Sequence, residues 1–152
     1  MSIDSPVGLL NNDSSSAAEF ALGTIIKADD GRKMLYVLAA DDFDKGDFVA
    51  IDENFAIRPL TKARADDRQM IGCCADFDVT DEEYTFVTIS GVFEGNIIKD
   101  AAVDSAFYTS GTTSGYLDDD SSGQKEIFGV VNTAKGADGV PTPCIAACRM
   151  HA

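Results

Sequence analysis

Ser105 to Val131, SAFYTSGTTSGYLDDDSSGQKEIFGVV, decides how this chain is read. Two short apolar-aromatic runs, Ala106-Phe107-Tyr108-Thr109 and Gly115-Tyr116-Leu117, flank a Gly/Ser/Thr turn. A polar Asp/Ser/Gly loop then leads into Ile127-Phe128-Gly129-Val130-Val131. β-Branched and aromatic side chains suit a pleated, half-buried surface, and Gly, Ser and Asp supply the turns between them. The pattern predicts a hairpin followed by a returning strand.

An earlier stretch has the same plan. Phe48-Val49-Ala50-Ile51, a tight Asp52-Glu53-Asn54 turn and Phe55-Ala56-Ile57-Arg58-Pro59-Leu60 form a hairpin, and a polar loop leads on to Met70-Ile71-Gly72-Cys73-Cys74. With Phe48 aligned to Phe107, Ile71-Gly72 falls within two residues of Phe128-Gly129. Two unrelated hairpins in an all-β protein are the plainer reading. A solenoid needs three or more copies, so two copies point to a barrel or sandwich with quasi-repeated halves.

Outward from these units the signals remain those of strands. Phe20–Lys27 and Lys33–Ala39 flank Asp30-Gly31, a hairpin turn signal. Pro59 cannot donate to a ladder and is expected at an edge. Glu83–Ser90 alternates, with Tyr84, Phe86 and Thr88 on one face and Thr85, Val87 and Ile89 on the other. It reads as a central strand continuing through Gly91 into Val92-Phe93. Glu126–Asn132 and Cys144–Met150 read as further strands, and Asn96–Val103 as either a short strand or a loop around a helical turn. Ala63–Asp67 has room for a single helical turn, too short to be stable alone. The expected fold is all-β: one domain over residues 20–152, a barrel or sandwich of short antiparallel strands.

Residues 1–19 lie outside that pattern and are expected to form an extended arm. Asn11–Ser16 is linker-like and too polar to order itself. Yet Ile3, Val7, Leu9 and Leu10 precede it, with Pro6 stiffening the chain among them. A disordered terminus is the plain alternative. A solvating tail has little need of four aliphatic residues, so they read as an arm that orders on a partner surface.

Charge narrows the partners. Twelve Lys and Arg stand against 26 Asp and Glu, a formal net charge of −14. Such a chain repels phosphate backbones, so nucleic acid is not an expected partner. No apolar run approaches the ~18–20 residues of a membrane span. The N-terminus has neither the basic nor the apolar region of a secretory signal. Synthesis in a reducing cytoplasm is therefore expected, where disulfides are rare.

Candidate reactive residues are few. His151 is the sole histidine, one residue from the C-terminus, where a fraying end holds a catalytic base poorly. Cys73, Cys74, Cys144 and Cys148 lack C-x₂-C spacing. Cys144, Cys148 and His151 make a poor zinc set, and buried free thiols are the favoured reading. Asp76-x-Asp78-x-Thr80 resembles the start of a calcium loop but lacks the Gly at its sixth position and the Glu at its twelfth, where Val87 stands. No catalytic residue, metal or cofactor is expected.

Taken in order, several stretches resemble the small capsid decoration (cement) proteins of tailed bacteriophages. They are the Asp30-Gly31 hairpin, Lys45-Gly46-Asp47-Phe48-Val49-Ala50-Ile51-Asp52, Ser90-Gly91-Val92, and Phe107 through Asp118-Asp119-Asp120 to Val131. The resemblance covers roughly residues 20–148 and rests on a pattern of strands and turns. It implies a structural protein without a catalytic site, on the outer surface of the phage head, bridging major capsid protein subunits and often a homotrimer. In such proteins an N-terminal arm commonly lies along the shell or a neighbour. Two other classes compete: a phage tail-tube or head-tail connector protein, and a carbohydrate-binding module or enzyme using Tyr84, Tyr108 and Tyr116. The absence of Trp weighs against sugar stacking.

Overall fold

The structure, a computed structural model, describes residues 14–67, 70–74, 77–147 and 149–152, and among these it has eleven strands and one short helix. Ile3, Val7, Leu9 and Leu10 lie outside the described residues, as do Asp76 and Cys148. β1 (Ile25–Lys27) and β2 (Lys33–Ala39) form the hairpin around Asp30-Gly31, closed by Ala28 N–H on Arg32 O at 2.8 Å. β3 (Phe48–Ile51) and β4 (Ala56–Pro59) make the second hairpin. α1 (Lys62–Asp66) follows, capped by Thr61, whose hydroxyl accepts from the Arg64 N–H. β5 (Met70–Cys74) returns antiparallel to β3, and β6 (Tyr84–Gly95) runs along β5. Among the described residues no helix is long and apolar enough to cross a membrane.

The two quasi-repeats fold alike. In the first unit β3 lies between β4 and β5. In the second, β7 (Phe107–Thr109) lies between β8 (Leu117–Asp118) and β9 (Glu126–Ile127). Val49 faces Pro59 in one hairpin and Tyr108 faces Asp118 in the other, so the hairpin register is the same. The return differs: Phe48 faces Cys73, whereas Phe107 faces Ile127 across a shorter loop. The units meet face to face, Phe48, Ala50, Ile71 and Cys73 packing with Phe107, Leu117 and Ile127 in one core cluster.

The sheet is mixed, not wholly antiparallel. β2 pairs in parallel with β4 through Leu38–Ala56 and Ala39–Ile57. It also pairs antiparallel with β6, so the ladders run β2–β4–β3–β5–β6 and back to β2. Strands in this circuit have neighbours on both faces, which explains why β3 is buried at every position. Val49 and Ile51 join Leu35, Val37, Ile57, Cys74, Val87 and Ile89 on one side, while Phe48 and Ala50 join the cluster shared with the second unit. A third cluster packs Phe20 and Tyr84 over Ile26, Met34, Tyr36 and Phe86. The expected alternation of Phe86 against Val87 and Ile89 thus holds, the two sets lying in different clusters.

One expected strand runs through Gly91 as read, and another is divided. β6 is a single 12-residue strand, its first half paired with β2 and β5 and its second with β11 (Thr142–Ala146). Gly91 at φ 110° joins the halves, and a Cβ there would stand 2.9 Å from the Arg32 Cα. The run Glu126–Asn132 is two strands. β9 pairs with β7, Gly129 turns the chain at φ 85°, and β10 (Val131–Asn132) pairs with β11. A left-handed glycine reverses the face alternation, so one apolar run serves two sheets.

Candidate interaction surface

β11 alternates without a break: Thr142, Cys144 and Ala146 face inward, Pro143 and Ile145 outward. On its neighbours Phe93 and Asn132 are buried, and Val92 and Val131 point out. Val131 pairs with Ile145 and Ile145 with Val92, so the three side chains form one row across β10, β11 and β6. They are 42%, 37% and 66% exposed. The solvated face of an antiparallel sheet is ordinarily polar; here it is β-branched and aliphatic.

The row continues at both ends. A hollow of about 240 Å³ lies over Gly129, Val131, Ile145 and Ala147. Ala147 is shared with a cleft of about 350 Å³ bounded by Ile25, Lys27, Lys33, Ser90 and Arg149. Phe128, exposed beside β10, stacks on the His151 ring at 5.4 Å. Strands distant in sequence therefore present one continuous surface, aliphatic in the middle and basic at the β1–β2 end.

The sequence-derived candidates fall elsewhere. His151 is not on a fraying end: Phe128 N–H donates to its carbonyl at 2.6 Å, its own N–H returns at 3.1 Å, and neighbouring Met150 is fully buried. Its exposed ring, with Nδ1 3.0 Å from Arg149 O, does not converge with Cys144, which is buried in the core beneath β11. Burial pushes the Cys144 thiol up to about 12, and burial with Asp47 nearby raises that of Cys74. These thiols are held protonated and pack as small apolar groups. Tyr84 stacks on Tyr36 within the third cluster, Tyr108 sits on β7, and Tyr116 borders an acidic hollow.

That hollow, about 200 Å³, includes Asp44, Asp78, Asn96 and Tyr116, with Asp47 behind it. Asp47 receives Asn96 Nδ2 on one oxygen at 2.8 Å and the Asp44 N–H on the other at 3.0 Å. Asn96 also donates to Lys45 O, and its N–H reaches Gly46 O at 2.7 Å. Lys45 N–H donates to Asp78. Half-burial raises the Asp47 carboxyl above its ordinary value, opposed by the Asn96 and Asp44 bonds and reinforced by the Asp44 and Asp78 charges. Both of its oxygens are spent on pinning the Lys45-Gly46 turn against β6.

The exposed row was not legible as a site, because Val92, Ile145 and Val131 look like ordinary strand residues. Only the register puts them side by side. Neither a family model, nor a curated protein, nor a solved structure matches this chain.

Proposed function

We propose that this chain is a structural virion protein that binds the outside of a phage head and bridges major capsid subunits. The observation that carries the proposal is the row Val131–Ile145–Val92, aliphatic and solvent-facing on a chain of net charge −14. Contiguous exposed apolar surface on a polar protein marks an interaction site, and a sheet face offers a broad one. The ladder circuit through β2, β4, β3, β5 and β6 supports a small closed barrel as the rigid body that presents it. The acidic balance fits an exterior location away from packaged nucleic acid. Resemblance to the decoration proteins, described above from the sequence, points to the head as the partner and to self-association, with residues 1–19 as an arm.

The test is a titration of purified protein onto bare expanded heads. Saturable binding at a fixed number of copies per head is expected, weakened by Val92→Lys with Ile145→Glu, which charges the row through an attractive cross-strand pair so that the melting temperature holds. Heads that remain bare at saturating protein would refute the proposal, and assembly onto isolated tails would favour the tail-tube or connector reading.

A further inference from the structure

The cleft at the β1–β2 end is basic on a strongly acidic chain. Lys27 and Lys33 stand directly opposite each other across the hairpin, Lys33 also faces Ser90 of β6, and Arg149 borders the other side. Like charges directly opposed on paired strands repel. Among the described residues, Arg32, Arg58, Lys62, Lys99, Lys125 and Lys135 are engaged in ion pairs. Lys27, Lys33 and Arg149 are in none with another described residue. Among the described residues no carboxylate borders the cleft, while Ile25 and Ala147 give it aliphatic walls.

Charge decides what fits. A two-fold axis through the cleft would set its three cations against their own copies, so cleft does not pair with cleft. Its complement is an aliphatic side chain flanked by carboxylates. The loop after β6 presents one: Val103 is exposed, Asp104 follows it, and Asp119 is drawn alongside by accepting the Ala102 N–H at 3.0 Å. We propose that the basic cleft binds this Val103 loop of a second copy, with Val103 against Ile25 and Ala147 and the two aspartates toward Lys27, Lys33 and Arg149. This deepens the self-association within the proposed function, and it is measured on free protein, without heads.

Sedimentation of the full chain across micromolar to millimolar concentrations reads the contact. Wild type should self-associate, less so as salt screens the charges. Lys33→Glu with Arg149→Glu should raise the dissociation constant about tenfold or more, and it leaves Lys27 in an attractive cross-strand pair, so the fold is not at risk. Lys45→Glu with Lys62→Glu reaches the same net charge away from the cleft and should leave association close to the wild-type value. Asp104→Asn with Asp119→Asn should also weaken association, although it lowers the overall repulsion. Asn tolerates the left-handed φ of 57° at position 104, and at position 119 its amide oxygen keeps an acceptor for the Ala102 N–H. Combining cleft and loop variants should cost less than the product of the two. A monomeric wild type, a control as damaging as the cleft variant, or fully multiplicative effects would each overturn the contact. Head titration separates the two proposals: a monomer that still saturates heads removes this contact alone.

Discussion

Phe86 is 2% exposed, with the Tyr36 and Phe20 rings at 4.8 and 5.5 Å. Truncation leaves a cavity as well as lost transfer energy, so Phe86→Ala should cost about 3–5 kcal/mol in urea unfolding. A loss under about 1 kcal/mol would show that the site collapses around the smaller side chain. Asp47 gives a prediction in pH. Its folded carboxyl lies above the ordinary 3.8, chiefly because burial disfavours the charged form. Such a group contributes stability below its unfolded pKa and loses that contribution as pH rises through the folded one. The stability of Asp47→Asn relative to wild type should therefore improve between about pH 3 and pH 7. Urea midpoints of the two proteins across that range check the sign, and a difference that stays flat or runs the other way would mean the two hydrogen bonds outweigh desolvation.

At the scale of elements, the two glycines that divide long apolar runs are the sensitive points. Gly129→Ala should cost about 1–2 kcal/mol for the left-handed backbone alone. Gly91→Ala should cost more, because its Cβ would also meet the Arg32 backbone at 2.9 Å. Thermal melts should rank Gly91→Ala below Gly129→Ala, and the reverse order would show that the Arg32 turn yields. These positions also mark where the sequence became hard to read. The hairpins and the quasi-repeat were legible because Phe48–Pro59 and Phe107–Asp118 carry local patterns of apolar runs and turn residues. The parallel β2–β4 pairing was not, since no turn connects Leu38 to Ala56 and nothing local records their meeting. Nor was the basic cleft, because Arg149 reaches Lys27 and Lys33 only through the return of β11 along β6. Apolarity on both faces of β3 was plain in Phe48-Val49-Ala50-Ile51, but its cause is the closed circuit of ladders, a property of no single segment.

For the whole molecule, the proposed attachment to a phage head raises the question of how one modest apolar face could supply enough affinity. Burying Val92, Ile145 and Val131 would contribute about 1–2 kcal/mol each, less the entropy of ordering what meets them. That is weak for one copy. In the proposed arm, Ile3, Val7, Leu9 and Leu10 would supply a second set of aliphatic groups, and linking two contacts multiplies attachment by about 10²–10⁴ through effective concentration. The described chain shows where to cut. Ser15 exchanges backbone bonds with Tyr84 at 3.0 and 2.8 Å, and the Ser14 hydroxyl donates to the Glu83 carboxylate at 2.5 Å. Removing Met1–Asp13 therefore spares these ties to β6. The truncated protein is expected to melt as wild type does, yet to bind heads at least tenfold more weakly, with a faster dissociation rate. Val92→Lys with Ile145→Glu should weaken binding as well, and joining it to the truncation should abolish retention on heads through sedimentation. Equal head affinity for truncated and full-length protein would leave attachment to the sheet face alone. A lowered melting temperature would instead make residues 1–13 part of the stable domain, and the binding comparison would then be read at a temperature where both proteins are folded.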